Sequence, residues 1–214
     1  MAIKINNITV IDDSRNAVNI PSLTFSDGTV QRTAAPVFGD TVTAGGSLLW
    51  TLNNPNAYST GANDHFGVSI DVSGDYAIVN AKDEDDTSGA SSGKAYIYNV
   101  TTGVLLCTIS NPSPASNDNF GSACAISGNY AIIAAVYDDF GSSDSGRAYI
   151  YNAATGQLVH TLSNPNAYST GASDQFGGSV AISGNYAIIG AGGEDDAGGI
   201  ESGKAYIYNV TTGA

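Results

Sequence analysis

FGGSVAISGNYAIIGA (176–191), then an acidic loop, then GKAYIYNVTTG (203–213), is the stretch whose reading decides the fold. Ser-Gly-Asn-Tyr breaks the first segment into an alternating run and an apolar run, as a tight turn between two strands would. The same pattern occurs twice upstream. FGSACAISGNYAIIAA (120–135) leads into GRAYIYNAATG (146–156), and FGVSIDVSGDYAIVNA (66–81) into GKAYIYNVTTG (93–103). The phenylalanines are 54 and 56 residues apart. A repeat of that period carrying several strands points to propellers or β-solenoids.

Each unit reads as four strands. Ser69 to Val72 alternates apolar with small or polar residues, as a strand with two unlike faces does. Tyr76 to Val79 is apolar throughout, the pattern of a strand covered on both sides. Ala95 to Tyr98 places aromatics on one face and aliphatics on the other. Leu105 to Ile109 is the fourth. Four meandering antiparallel strands make one propeller blade. The fold expected is therefore all-β: three four-stranded antiparallel propeller-like blades after a short extended N-terminal segment. The divisions expected are 1–47 for that segment and 48–214 for the repeats, at 48–103, 104–156 and 157–214.

Composition agrees. The 214 residues include 26 Gly and 12 Tyr, are 42% hydrophobic and only 13% charged, which suits a turn-rich β protein with a packed core. The formal charge of −13 sets the chain against anionic partners, so neither nucleic acid nor acidic lipid is expected. No run approaches the roughly 18 apolar residues of a membrane span, so no membrane insertion is expected. MAIKINNITV lacks the basic flank and apolar core of a secretory signal. Cys107 and Cys124 occupy positions held by Trp50 and His160, and by Ile70 and Val180, in the sister repeats. They read as packing residues.

The run from Asp174-Gln175-Phe176-Gly177 through Ser202-Gly203-Lys204-Ala205-Tyr206-Ile207-Tyr208 resembles the bacterial FG-GAP repeat, and it recurs three times over 62–213. The resemblance implies a β-propeller related to the integrin α-subunit head. The calcium loop of the integrin type, D-x-D-x-D-G-x-x-D, has no match here. Three blades are also few for a closed ring. Leu48 to Leu52 reads as an isolated fourth-type strand, and the last repeat stops after its third strand. A longer parent polypeptide, several chains pooling their blades, or an open stack would each account for this, and an oligomer of identical chains is expected.

Residues 1–47 alternate in short runs broken by Asp-Asp, Asn and Pro, with too little apolar content to fold alone. KINNITVIDDSRNAVNI (4–20) and LTFSDGTVQRTAAP (23–36) are similar to N-terminal segments of bacteriophage tail-fibre and other virion proteins. That similarity implies an anchor to other virion proteins, with the repeats facing outward.

Strand parity places the loops. In a meander, the connections one-to-two and three-to-four share one edge, and here they are tight turns. The opposite edge carries NPNAYSTGA (54–62, repeated at 164–172), NPSPASND (111–118) and the acidic loops 82–92, 136–145 and 192–202. Binding belongs on that elaborated edge, where Tyr58, Tyr168, Asn56 and Asn166 are the candidate ligand residues, flat aromatics suiting sugar rings. Asp85, Asp86, Asp138, Asp139, Asp195 and Asp196 are candidate hard-cation ligands, with calcium the ion such oxygens take. Local turn bonding is the alternative role. Asp64, Asp118 and Asp174 fit an Asx-type bend, and Phe66, Phe120 and Phe176 fit wedges between blades.

No catalytic constellation is visible, so no enzyme is expected: His65 and His160 have no repeated counterpart, and no phosphate loop or nucleophile motif occurs. The function expected is a virion structural protein, a tail fibre or surface appendage contacting a host-surface glycan or protein. A calcium-dependent extracellular or cell-surface binding propeller is the alternative.

Overall fold

The computed structural model describes residues 3–5, 8–11, 22–24, 30–32, 48–55, 63–85, 89–165 and 172–214. It divides into two units, Met1–Leu48 and Leu49–Ala214. In the first, β1 (Ile3–Ile5) pairs antiparallel with β2 (Ile8–Ile11), and β3 (Ser22–Thr24) with β4 (Val30–Arg32).

The second unit is three antiparallel meanders, each in sequence order. The first sheet is β5 (Ile70–Ser73), β6 (Tyr76–Ala81), β7 (Lys94–Asn99) and β8 (Leu105–Ser110). The second is β9 (Phe120–Ser127), β10 (Tyr130–Ala135), β11 (Arg147–Asn152) and β12 (Leu158–Ser163). The third is β13 (Phe176–Ser183), β14 (Tyr186–Ala191) and β15 (Lys204–Asn209). The fold is all-β, with sheets resembling propeller blades. Two details differ from the sequence reading. β9 and β13 begin at the phenylalanine, so the first strand is longer than alternation alone marks. Residues 48–52 are not a strand; instead the Trp50 indole Nε1 donates to the Val100 carbonyl at 3.1 Å.

The sheets pack face to face because their strands carry apolar residues on both sides. Ile78, Ile97 and Ile109 of the first sheet are buried with Cys124, Ile126, Ile133, Tyr149 and Tyr151 of the second. On its other face the second sheet buries Ile132, Ile150 and Leu162 with Phe176, Ala187 and Ile189 of the third. Phe120 and Phe176 are wholly buried wedges, while Phe66 is only partly buried.

Polar side chains finish these contacts. β9 is an edge strand whose outward amides need acceptors. Cys124 N donates to Ser69 Oγ (3.0 Å), Ile126 N to Asp71 Oδ2 (2.8 Å) and Gly128 N to Ser73 Oγ (3.1 Å). Gly184 N donates likewise to Ser127 Oγ at 3.1 Å. Close approach is set by two glycines at positive φ. A Cβ on Gly93 would lie 2.0 Å from the Phe120 carbonyl oxygen, and one on Gly146 would lie 2.2 Å from that of Phe176.

Candidate binding face

Hydrogen bonds between connections place the two edges where parity requires. At the blunt edge the three-to-four turn bonds the one-to-two turn, through Val100 N to Asp75 O, Ala153 N to Asn129 O and Val210 N to Asn185 O. At the other edge the inter-sheet segments bond the acidic loops: Asn117 N to Ala90 O, Asn119 N to Ser91 O, Ser173 N to Ser143 O and Gln175 N to Asp144 O. These segments bend through left-handed residues, at Asn63 and His65, Asn117 and Asn119, and Ser173 and Gln175. Such backbone is uncommon outside glycine, and its threefold recurrence shows that it is built in.

A clamp closes the base of each segment that leads into a sheet. Asn54 Nδ2 donates to Asp64 Oδ2 at 2.7 Å, Asn111 Nδ2 to Asp118 Oδ2 at 2.8 Å and Asn164 Nδ2 to Asp174 Oδ2 at 2.7 Å. The three aspartates are buried, so they tie the segment as well as bend it. Burial pushes the Asp118 carboxyl up to about 6, with nearby Asp138 adding to the rise, against the bonds from Ala115 N and Asn111. Asp83 goes the other way. Burial raises it, but Lys82 Nζ and His65 Nδ1, both at 2.6 Å from Oδ2, hold it below the usual carboxylate value. Asn119 Nδ2 reaches its other oxygen at 2.6 Å, linking the first acidic loop to the second sheet.

Behind each acidic loop stands a buried strut. Glu84, with no exposed surface, accepts from Lys94 Nζ (2.8 Å) and Tyr96 OH (2.5 Å). Glu194 accepts from Lys204 Nζ (2.5 Å) and Tyr206 OH (2.6 Å). In the middle sheet Asp138 accepts from Arg147 Nε (2.7 Å) and Tyr149 OH (3.0 Å). The shorter acid is matched by the longer base. Burial and the adjacent carboxylate push the Tyr96, Tyr149 and Tyr206 hydroxyls well above the usual tyrosine value. The tyrosines thus keep their protons and donate, and an ion pair with this second donor offsets the cost of the buried charge.

The struts correct the alignment of the acidic loops. Counting back from Gly93, Gly146 and Gly203 groups Asp138 with Asp85 and Asp195. The structure instead groups Asp138 with Glu84 and Glu194, because each of these carbonyls accepts from its glycine amide. The middle loop is one residue shorter on the glycine side. Counting forward from Ala81, Ala135 and Ala191 finds all three acids at one offset, and that signal in the sequence identifies the struts.

The cation candidates are engaged locally. Asp85 Oδ1 accepts from Ser91 N (2.9 Å), Asp139 Oδ1 from Asp144 N (2.9 Å) and Asp195 Oδ1 from Glu201 N (2.8 Å), so each closes its own loop. Asp196 Oδ1 accepts from Gly198 N at 2.5 Å. Among the described residues no three His, Cys, Asp or Glu side chains gather as ligands. Asp86, Asn56, Tyr58, Asn166 and Tyr168 lie outside the described residues. The arrangement is a tied, acidic rim that presents loops.

The FG-GAP repeat family matches residues 57–98, 109–151 and 167–208, more than half of the chain. No curated protein matches it. The solved structure of BamB from Moraxella catarrhalis is similar over 72% of this chain at 16% identity and a TM-score of 0.42. The chain spans 36% of that protein's length. FG-GAP blades are typically binding modules without catalytic activity. With three matched repeats, each forming one meander, this chain belongs to the FG-GAP repeat family.

Proposed function

We propose that the chain is a non-catalytic recognition module that presents its loop-bearing edge to a partner. The observation that carries this reading is the division of the edges. Among the described residues of Leu49–Ala214, the long connections leave and rejoin the sheets on one edge, tied at the base by an Asn–Asp clamp or backed by a strut, while the opposite edge carries tight turns. Held loops lose little freedom on binding, which favours affinity. The rim is acidic, and the four cations of this unit (Lys82, Lys94, Arg147 and Lys204) are all paired within it. That chemistry suits a neutral glycan or a cationic protein surface better than an anion.

The finer reading is a bacteriophage attachment protein on the virion, held to other virion proteins through 1–47. It rests on the similarity of 4–20 and 23–36 to such leaders, and on nothing in the blades. Binding of the labelled chain to a glycan array and to whole bacterial cells tests recognition. Tyr58→Ala with Tyr168→Ala should abolish the signal, and Thr101→Ala with Thr211→Ala on the blunt edge should leave it. Loss only with the blunt-edge pair would overturn the assignment. Incorporation into particles without residues 1–45 would refute the anchor alone.

A further inference from the structure

The middle acidic loop departs from its sisters at two positions. Counted forward from Ala135, Tyr137 and Phe140 stand where the first loop has Asp83 and Asp86 and the third has Gly193 and Asp196. Both rings lie on the loop-bearing edge and keep much of their surface in water, 56% for Phe140 and 42% for Tyr137. The sister loops close and keep their struts without an aromatic at either position, so the repeat does not require one. Single apolar side chains are common on protein surfaces. Phe140 is set apart by how it is held.

Its amide donates to Asp138 Oδ1 at 3.0 Å, and its carbonyl accepts from Ser145 Oγ at 2.8 Å. The Arg147 guanidinium lies over the ring, 4.5 Å from the centroid, and 5.9 Å from the Tyr149 ring. Arg147 is itself fixed, by Asp138 Oδ1 at 2.7 Å from Nε and by Ser113 Oγ at 3.3 Å from Nη2. Next along the chain Asp139 is exposed, with its Oδ1 set by the Asp144 amide at 2.9 Å. Phe140 is thus a fixed flat ring bordered by a carboxylate, a hydroxyl and a guanidinium.

Charge decides what this ring accepts. A cation is drawn to an aromatic face, but Arg147 already fills that role and would repel a second one. An anion would meet Asp139 and Asp144. A neutral ligand with an apolar face and hydroxyl edges meets neither obstacle. A sugar ring can lay its C–H face on the negative face of the aromatic ring, with hydroxyls left to donate to a carboxylate or accept from a guanidinium.

We propose that Phe140 and Tyr137 are stacking platforms for a neutral saccharide, with Asp139, Ser113 and Arg147 as its polar partners. This names the ligand class of the recognition role proposed above and rests on that role. The ring is held before binding, so little freedom is lost on contact.

A glycan array carrying neutral and sialylated glycans tests this, read beside binding to whole bacterial cells. Wild type should bind neutral glycans. Phe140→Leu keeps an apolar cover over the Arg147–Asp138 pair but removes the flat ring. It should stay folded by circular dichroism and bind the neutral glycan strongest on the array about tenfold more weakly, the worth of one aromatic contact. Phe140→Tyr should bind as wild type does. Tyr137→Ala, whose side chain takes no part in the strut, should also weaken binding. Phe140→Leu and Tyr137→Ala chains that bind as wild type would overturn the platforms, and binding confined to sialylated glycans would overturn the neutral class. Wild type that binds cells but no glycan would overturn the saccharide and leave the recognition role standing. A chain that binds neither would overturn both.

Discussion

The Tyr96 hydroxyl donates to Glu84 at 2.5 Å while Lys94 Nζ holds the other oxygen at 2.8 Å, and Glu84 has no exposed surface. One carboxylate thus fixes the acidic loop to the third strand of its own sheet. Lys94→Met leaves that charge buried without its cation and is expected to cost about 3 kcal/mol. Tyr96→Phe removes one charge-assisted bond and costs roughly 1.5–3 kcal/mol. Glu84→Gln combined with Lys94→Met leaves no charge behind and should recover most of the loss. Urea unfolding measures all three, and a Lys94→Met chain as stable as wild type would refute the strut.

Glycines at equivalent positions should differ in cost. Gly93 and Gly203 share a positive φ, but a Cβ meets the Phe120 backbone at 2.0 Å in the first and nothing closer than 3.3 Å in the second. Gly203→Ala should therefore cost only the left-handed strain, about 1–2 kcal/mol. Gly93→Ala adds displacement of the second sheet and should cost at least about 2 kcal/mol more, as displaced or overpacked contacts do. Equal urea midpoints for the two variants would contradict the close approach at Phe120.

Asp118 gives the fold a defined pH dependence. Its folded value of about 6 lies above the ordinary 3.8. Folding therefore favours the protonated form, and the stability it contributes is full below about 3.8 and is lost as pH rises through 6. Subtracting the Asp118→Asn curve from the wild-type curve should show wild type losing relative stability between those limits. A flat difference, or one of opposite slope, would contradict the burial of this carboxyl.

Calcium should not alter stability, because Asp85, Asp139 and Asp195 already bond backbone amides within their loops. Melting midpoints in excess calcium and in excess chelator are expected to agree. A difference above about 3 °C, near 1 kcal/mol for a domain of this size, would show an ion that these loops hold.

Much of this architecture was legible in the residues. Alternation at Ser69 to Val72 and continuity at Tyr76 to Val79 mark strands directly, and parity then assigns each connection to an edge without coordinates. The struts were hidden by one length difference between Asp138 and Gly146, which shifts the acids by a residue when counted from the glycine. The clamps were half visible. Asp64, Asp118 and Asp174 stand out by spacing, but their partners Asn54, Asn111 and Asn164 lie across loops of unequal length. What the pattern could not show is the fate of 48–52, since strand pairing depends on a neighbouring edge that the first sheet does not provide.

Successive repeats stack face to face, first strand beside first strand. Ser69 Oγ lies 3.3 Å from Cys124 Sγ across that junction, and Cys124 and Cys107 are both free thiols. Ser69→Cys, oxidised and then unfolded for thiol counting, should retain one free thiol, at Cys107, with the first and second sheets joined by a disulfide. Three free thiols after oxidation would contradict the stack.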